Sequence, residues 1–313
     1  MASLSPSALS QTSGDLIADR RYAFGQDYAA RGDHAAAADL FTQAIEAAPG
    51  FSSAWFALGE ARDNNGEFAA AITAFRHVRE LDPGDRHGAG LHLIRLKAEA
   101  VGDMSRDYVR ILFDQYALHF DDTLTNKLAY RGPELLRDAV TRACAAASRP
   151  LHFCSLLDLG CGTGLGGAAF RPLADRLTGM DLSPLMVERA RTKCLYDTLA
   201  VGDIPEFLKA QEESGAQHDL VLAADVFIYL ADLTGIIAGS AQVLESGGLL
   251  AFTVETHEGD GIALGEKLRY AHGEAYVRDA LAAAGLRPLL IEAASTRNEG
   301  GAAVPGFVVV AMK

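Results

Sequence analysis

The chain has 313 residues, which is roughly twice the usual length of a single domain, so two domains are expected. Hydrophobic residues make up 49% and charged residues 22%, a composition typical of folded globular proteins that excludes a disordered chain. The formal net charge is -13, and neither half of the chain has the basic excess that binding to nucleic acids or anionic membranes requires. We therefore expect neither a nucleic acid nor a membrane as a partner, and the remaining alternative is an RNA or DNA enzyme with a small local basic groove.

Cysteine usage and the first residues indicate the compartment. The four cysteines show no CxxC spacing and no disulfide framework, so reduced thiols and a cytoplasmic location are expected. The chain begins MASLSPSALSQTSGD, which has neither the basic nor the apolar segment of a secretory signal. The most apolar stretch, Leu220 to Leu230, is interrupted by Asp225 and is too short to span a bilayer. Residues 1–17 are polar and rich in serine, and we expect a flexible tail there.

Residues 19–85 contain an internal repeat. Four pairs of identical residues recur at the ~34-residue period of tetratricopeptide repeats: Gly25 and Gly59, Ala37 and Ala71, Phe41 and Phe75, and Pro49 and Pro83. Glycine and alanine allow two antiparallel helices to approach closely, phenylalanine fills the seam between them, and proline ends the second helix. The alternative is two unrelated helical hairpins, which four matches in one register disfavour.

A third helix, predicted over residues 86–101, resembles a capping helix, so we predict a repeat domain over residues 18–101. Two repeats and a cap fall short of the ~3 repeats usually needed for independent stability. We therefore expect this domain to pack on the rest of the chain or on a second copy, as in a homodimer.

From residue 153 onward short apolar runs alternate with helical segments. The strand-like runs cover residues 153–159, 177–181, 198–201, 220–224, 249–254, 288–293 and 307–311, and the predicted helices cover 167–173, 184–193, 205–213, 233–244 and 272–284. This alternation predicts a buried parallel sheet with helices on both faces. The last two runs have no helix between them, so they are expected to pair as an antiparallel hairpin.

The first predicted strand ends in a glycine-rich loop, LLDLGCGTGLGG, at residues 156–167. Glycines there allow a sharp turn and let backbone N–H groups come close to a ligand. The loop alone is ambiguous, because Gly162, Gly164 and Gly167 also fit the GxGxxG pattern of dinucleotide-binding proteins. Asp158 precedes the glycines, and a carboxylate at that position favours a cation or an amino group over a pyrophosphate.

Two further acids follow the next two predicted strands. Asp181 ends the second strand, where its carboxylate can bind both ribose hydroxyls. Asp203 follows the third strand, where it can accept a hydrogen bond from an adenine amino group. Taken alone, Asp181 is equally well explained as a helix N-cap. Acids at three successive strand ends suit a ligand with an adenine, a ribose and a cationic tail.

These residues together resemble the class I S-adenosylmethionine-dependent methyltransferases, whose DxGxGxG motif appears at residues 158–164. The chain also looks like bacterial proteins in which tetratricopeptide repeats are fused to a methyltransferase domain. The segments that carry this resemblance are residues 107–135, 224–233 and 269–277. The resemblance implies an α/β, Rossmann-like, seven-stranded sheet with its last strand antiparallel, over residues 102–313. It also implies a helical lid at residues 102–146, with the all-α repeat domain before it.

The resemblance further implies S-adenosylmethionine as cofactor and S-adenosylhomocysteine as product. The predicted cofactor-binding residues are Asp158, Gly160, Cys161, Gly162, Asp181, Leu182, Met186, Asp203, Ile204, Asp225 and, from the lid, Tyr116. Asp158, Gly160 and Cys161 would line the methionine and ribose end. Leu182 and Met186 would flank the adenine, and the backbone of Ile204 would meet its ring.

Methyl transfer from a sulfonium is an in-line displacement, so the enzyme mainly supplies alignment. A general base is needed only if the acceptor keeps its proton near neutral pH. The candidate catalytic residues follow the fourth and fifth strands and precede a predicted helix: Tyr229, Glu255 and His272. His272 is equally well explained as a surface residue at a helix start. No cluster has metal-ligand spacing, so no metal is predicted.

The leading hypothesis is methyl transfer to a small-molecule acceptor. The Asn/Asp–Pro–Pro–aromatic loop of many amino-group methyltransferases is replaced by Ala–Asp–Val–Phe at residues 224–227, and the paired-glutamate loop of arginine methyltransferases is missing. One alternative is a protein methyltransferase whose repeats capture the substrate. Another is an adaptor that binds the cofactor without catalysis.

Overall fold

A computed structural model describes residues 12–118, 120–122 and 129–313. At residue 122 it describes the backbone and not the side chain. Residues 1–11 of the predicted tail lie outside the described residues. The described residues form two compact units, one running up to Leu112 and including Glu266–Leu268, the other holding Phe113–Gly265 and Arg269–Lys313. None of the helices in these ranges combines the length and the apolar character needed to cross a bilayer.

The first unit consists of helices. They are α1 (Leu16–Ala30), α2 (His34–Ala47), α3 (Ser52–Asn64), α4 (Phe68–Leu81), α5 (Ala89–Arg95) and α6 (Arg106–Tyr116), the last of which continues into the second unit. The helix α1 begins inside the predicted tail because the carboxylate of Asp15 caps it by accepting hydrogen bonds from the backbone amides of Ile17 and Ala18. The predicted domain boundary at residue 102 stays a prediction.

The repeated glycine–phenylalanine pairs form the seams of the two helical hairpins. Phe41 and Phe75 are buried, and a Cβ atom at Gly25 or Gly59 would lie 2.5 or 2.6 Å from the facing ring. Only glycine allows this approach, which confirms the roles predicted for these residues. The indole N–H of Trp55 in α3 donates to the carbonyl oxygen of Pro49, in the loop between the hairpins, at 2.8 Å.

The predicted capping helix is shorter than expected. Only Ala89–Arg95 is helical, because Gly88 before it and Lys97 after it have left-handed backbone conformations, with φ of +76° and +58°. Inside the unit, His92 stacks on Phe75 with 4.5 Å between the ring centres, and burial lowers the pKa of His92 to about 3. This histidine is therefore a neutral part of the core.

The second unit is built on a mixed sheet. Its strands are β1 (Phe153–Leu159), β2 (Ala174–Asp181), β3 (Thr198–Val201), β4 (His218–Ala223), β5 (Leu244–Glu255), β6 (Ile262–Leu264), β7 (Tyr270–His272), β8 (Arg287–Ala294) and β11 (Gly306–Met312), while β9 (Asn298–Glu299) and β10 (Ala302–Ala303) form a separate hairpin. The main order is β3-β2-β1-β4-β5-β11-β8. The first five strands are parallel and β11 is antiparallel to both neighbours, which confirms the predicted fold and hairpin.

Helices cover both faces of this sheet. They are α7 (Phe120–Asp122), α8 (Gly132–Ala146), α9 (Leu165–Phe170), α10 (Pro184–Thr192), α11 (Ile204–Glu213), α12 (Thr234–Val243) and α13 (Glu274–Ala283), with short 3₁₀ helices at Arg171–Leu173 and Phe227–Tyr229. One apolar core joins the sheet to α11, α12 and α13, and a second joins it to α8 and α9. The strand order reverses between β1 and β4, and ligands of open α/β sheets bind at such a reversal.

Candidate active site

The glycine loop leaves β1 at this reversal and turns sharply. Gly160 has φ +64°, and a Cβ atom there would lie 2.5 Å from Cγ2 of Val226. The amide of Cys161 donates to the carbonyl oxygen of Met180, at 2.8 Å, which fixes the loop against β2. Among the residues that the structure describes, a Cβ atom at Gly162 would meet only Phe120, at 3.8 Å, so these residues leave one face of the loop backbone open.

Asp181 ties the glycine loop to the start of α10. Its carboxylate accepts hydrogen bonds from the amide of Gly162 and the amide of Ser183, each at 2.8 Å. Burial raises the pKa of Asp181 to about 6, against the lowering effect of these amides. The N-cap of α10 is Ser183, whose hydroxyl accepts from the amide of Met186 at 3.1 Å. The cap explanation for Asp181 is therefore wrong.

Asp158 lies at the end of β1, 2% exposed. Burial raises the pKa of this carboxyl group to about 7, the hydroxyl of Tyr196 lowers it through a hydrogen bond, and the charge of Asp181 raises it. Tyr196 donates to Oδ2 of Asp158 at 2.7 Å. This contact could not be predicted, because Asp158 lies in β1 and Tyr196 lies in the connection between α10 and β3.

The residues predicted to meet the adenine lie directly after β2, in the first turn of α10, and directly after β3. Met186 is buried and Leu182 is half-buried, while Asp203 and Ile204 are half-buried where β3 leads into α11. The amide of Gly202 donates to the carbonyl oxygen of Asp181 at 3.0 Å, which holds the two strand ends together. The predicted ribose and adenine residues therefore border one edge of the sheet.

Asp114 and Asp121 contact the glycine loop and the two ends of α10. Asp114 accepts a hydrogen bond from the hydroxyl of Ser183 at 2.6 Å. Asp121 accepts from the Thr163 hydroxyl, and its carboxylate pairs with Lys193 at 2.6 Å. Tyr116, in the same segment, is half-buried, and burial raises its pKa. Residue 119 and residues 123–128 of the predicted lid lie outside the described residues.

Asp225 follows β4 in a left-handed conformation, with φ +57°. Its backbone amide donates to the hydroxyl of Thr253 at 2.8 Å, and that hydroxyl donates back to the Asp225 carboxylate at 3.1 Å. Arg297 completes the set with an ion pair to the other carboxylate oxygen. The contacts with Thr253 and Arg297 hold Asp225 in a conformation that strains a non-glycine residue.

Glu255 belongs to the same buried ionic network. Its carboxylate accepts hydrogen bonds from Arg269, at 2.6 Å, and from Arg297, and both arginines also pair with Glu299. The side chains of Arg269 and Arg297 are only 8% and 4% exposed. Because the Glu255 carboxylate is held by two guanidinium groups, these contacts support a structural role for Glu255 over that of a base.

His272 lies in β7 and not at the predicted helix start, since α13 begins at Glu274. Its ring is fully buried, and Nε2 lies 3.0 Å from the carbonyl oxygen of Ala231. Burial lowers its pKa, so the imidazole is neutral and donates from Nε2 to this carbonyl. These contacts hold the loop after β4, and His272 is not brought to the rim of the site.

Tyr229 is the candidate catalytic residue that packs on the predicted lid segment. Its ring packs edge-to-face on Phe113, 5.0 Å between ring centres, and Phe113 contacts Phe120, which faces Gly162. Burial raises the pKa of Tyr229 to about 12. Tyr130 is close enough to feel the charges of Asp158, Asp225 and Arg297, and burial raises its pKa as well. Both hydroxyls therefore stay protonated at neutral pH.

Sequence reasoning missed Tyr196, Arg269, Arg297 and Glu299. No local pattern marks them, because each acquires its contacts only when distant strand ends meet. Among the described residues, no group of three or more His, Cys, Asp or Glu side chains could hold a metal ion. The chemistry that this arrangement supports uses fixed carboxylates, backbone amides and protonated tyrosines.

Two families of known proteins match parts of this chain. Residues 157–252 match the family described as methyltransferase domain, and residues 22–86 match the tetratricopeptide repeat family. The chain carries a methyltransferase domain and tetratricopeptide repeats. The predicted combination of the two in one chain is thereby confirmed.

Individual relatives match only part of the chain. A ubiquinone biosynthesis O-methyltransferase of Chelativorans sp. is 30% identical over 104 residues, which are 33% of this chain and 41% of that protein. Human methyltransferase-like protein 27 is 31% identical over 150 residues, 46% of this chain and 57% of that protein. The chain thus spans about half the length of these curated relatives.

Among solved structures, magnesium protoporphyrin IX methyltransferase from Synechocystis PCC 6803, determined with bound SAM, gives a TM-score of 0.49 at 17% identity. The match covers 69% of this chain and 99% of that one.

Proposed function

We propose that the protein is an S-adenosylmethionine-dependent methyltransferase that acts on a small-molecule acceptor and releases S-adenosylhomocysteine. The observation that carries the proposal is the Asp181 carboxylate, which accepts hydrogen bonds from the amides of Gly162 and Ser183 beside the glycine loop. The relative from Chelativorans, which is named for an O-methyl transfer in ubiquinone biosynthesis, favours a small-molecule acceptor over a protein.

The residues present fit this cofactor. The described residues leave room for a ligand beside Gly162, and Asp158 and Asp181 supply carboxylates at adjacent strand ends. In the proposal, Asp158 and the backbone at Gly160 and Cys161 hold the methionine end, and Asp181 holds the ribose. Leu182 and Met186 flank the adenine, with Asp203 and the Ile204 backbone at its polar edge.

The cofactor supplies an electrophilic methyl group, and the residues of this chain align the acceptor. Tyr229, with its pKa raised to about 12, remains protonated and orients the acceptor as a hydrogen-bond donor. Phe113 packs on Tyr229 and on Phe120, and in the proposal the two phenylalanine rings would exclude water from the bound acceptor. Glu255 and His272 stabilise the surrounding loops, and Asp225 with Tyr116 borders the site. This proposal needs no strong base.

We also propose that the domains follow the sequence boundaries, with repeats at residues 18–101 and the methyltransferase domain at 102–313. The repeats would bind a protein partner or a second copy of the chain, the usual tasks of such modules. A cytoplasmic location is supported by the four cysteines, all of which are free thiols.

The test is calorimetry of S-adenosylhomocysteine binding. Asp181→Ala removes the ribose ligand, so binding is expected to weaken by about 1–3 kcal/mol, the scale of lost hydrogen bonds to a buried charge. The matched control is Asp219→Ala: Asp219 is 7% exposed and accepts hydrogen bonds from two amides, those of Cys154 and Ser155, at the opposite edge of the sheet. The control should keep wild-type affinity.

Unchanged affinity in Asp181→Ala would contradict the cofactor assignment, and so would an unmodified protein that binds no S-adenosylhomocysteine. Mass spectrometry of the purified protein under native conditions provides an independent check, because a co-purified cofactor would be detected by its mass.

A further inference from the structure

We propose that Tyr196 is a positioning residue that orients the Asp158 carboxylate toward the amino group of the cofactor. The inference rests on the proposed function and extends it to a residue that does not itself touch the ligand. Tyr196 precedes β3, in the connection that follows α10, and its hydroxyl reaches the end of β1 from there.

A slot lined by glycines receives the Tyr196 ring. A Cβ atom at Gly167 would lie 2.5 Å from the tyrosine hydroxyl oxygen, and one at Gly179 would lie 2.6 Å from the ring. At Gly164 the corresponding distance is 3.2 Å. These glycines belong to β2 and to the loop and helix after β1, so two separate segments leave space for one side chain. The ring is part of how the glycine loop is built.

The hydroxyl of Tyr196 has two partners. It donates to Oδ2 of Asp158 at 2.7 Å and accepts from the amide of Gly167 at 3.1 Å. Because the Gly167 amide fills the acceptor site of this hydroxyl, its proton is directed at Asp158. The other carboxylate oxygen, Oδ1, makes no hydrogen bond to the residues that the structure describes, which leaves it for the ligand.

The backbone around Tyr196 is anchored as well. The carboxylate of Asp197 accepts hydrogen bonds from the amide of Leu177 and from Arg171, both at 2.7 Å. Arg171 also donates to the carbonyl oxygen of Leu195 at 3.3 Å. The residues on both sides of Tyr196 are thus tied to β2 and to the helical turn before it, and the tyrosine is held in one orientation.

Charge explains why this orientation matters. The groups facing Asp158 are Asp181 from β2, Cys161 from the loop, Tyr130 before α8, and Tyr196 itself. Burial and the Asp181 charge raise the pKa of Asp158, and the Tyr196 hydrogen bond is the contact that lowers it. Without the hydroxyl, more of Asp158 is protonated at neutral pH, and a protonated carboxyl group binds an ammonium group poorly.

The test is Tyr196→Phe, which keeps the ring in its slot and removes only the hydroxyl. Calorimetry with S-adenosylhomocysteine should show about tenfold weaker binding near neutral pH, the loss expected for one hydrogen bond to a charged group. The difference from the wild type should shrink toward about pH 8.5, where Asp158 is ionised in both proteins.

Tyr276→Phe is the matched control. Tyr276 also donates to a carboxylate, that of Asp232 at 2.6 Å, and accepts from a backbone amide, that of Leu233 at 2.7 Å. Its removal should leave the affinity and its pH dependence as in the wild type. A second measurement needs no ligand: the carbon-13 NMR titration of the Asp158 carboxyl group should move to higher pH in Tyr196→Phe.

The outcomes separate this inference from the proposed function. Equal affinity and an equal Asp158 titration in wild type and Tyr196→Phe overturn the inference and leave the proposed function intact. A loss of affinity that is the same at every pH assigns Tyr196 a purely structural role and also overturns it. If the wild type binds no S-adenosylhomocysteine while the Asp158 titration still shifts, the proposed function fails and the tyrosine–carboxylate linkage stands.

Discussion

At the scale of single residues, Asp158 and Asp181 place two buried carboxyl groups at the ends of adjacent strands. Burial raises the pKa of Asp158 to about 7 and that of Asp181 to about 6, since each charged form loses its hydration. A raised pKa in the folded state means that the folded protein loses stability as pH rises toward that pKa. The carboxylates that suit the proposed ligand therefore destabilise the ligand-free fold.

Asp158→Asn tests whether the charged Asp158 carboxylate destabilises the ligand-free fold. The wild-type carboxyl favours the fold below about pH 4 and loses that contribution as pH rises through about 7, whereas asparagine has no proton to lose. Without cofactor, the variant should melt at a higher temperature than the wild type at about pH 8, and the gain should vanish toward about pH 4. Thermal unfolding across this range provides the measurement. A variant that is less stable than the wild type at every pH would falsify the expectation.

Part of the site could be predicted from residues alone. Asp158, Asp181 and Asp203 follow from where apolar runs end, because parallel strands bring their carboxyl ends to one edge of the sheet. Tyr196 could not be predicted, since its contact with Asp158 depends on glycines in two other segments. Arg297 was missed for a related reason, because its partners Asp225 and Glu255 follow different strands.

At the scale of elements, long and periodic segments were predictable and short ones were not. The run at residues 153–159 matches β1, because near-continuous apolar residues fill a sheet that is covered on both faces. The strands β6, β7, β9 and β10 are two or three residues long and carry no periodicity to read. His272 was assigned to a helix because β7 precedes α13 so closely.

The same substitution can be tested at matching positions of the two helical hairpins. In both Gly25→Ala and Gly59→Ala the new methyl group would overlap a buried phenylalanine ring, so each should lower the free energy of unfolding by about 1–3 kcal/mol despite the better helix propensity of alanine. Gly50→Ala is the control, because no atom lies within 4 Å of a Cβ atom there. Urea unfolding provides the values. Neutral effects at both helical positions would show that the rings move aside.

At the scale of the whole molecule, the described residues form two compact units, each with its own apolar cores. Phe41 and Phe75 centre the cores of the repeats, and the sheet of the second unit has a core on each face. The proposed cofactor residues all belong to the second unit. A ligand that binds this unit stabilises it by mass action.

Hydrogen exchange with and without S-adenosylhomocysteine tests which helices and strands the ligand stabilises. We expect slower exchange in β1, which contains Asp158, and in α10, which follows Asp181. Opening either element would release the ligand. The exchange of α2 and α4 in the repeats should change little. Equal protection in both units would contradict the expectation and would indicate that they open together.

The position of Trp55, whose indole donates a hydrogen bond to Pro49, has a practical consequence for unfolding experiments. The chain has one tryptophan, and it lies in the first unit, where its ring also packs on His77 with 4.3 Å between ring centres. Tryptophan emission therefore originates from the repeats alone, while the methyltransferase domain contributes only tyrosine emission. Fluorescence excited selectively at the indole is a built-in reporter of the repeat unit, and it follows the unfolding of that unit without any added label.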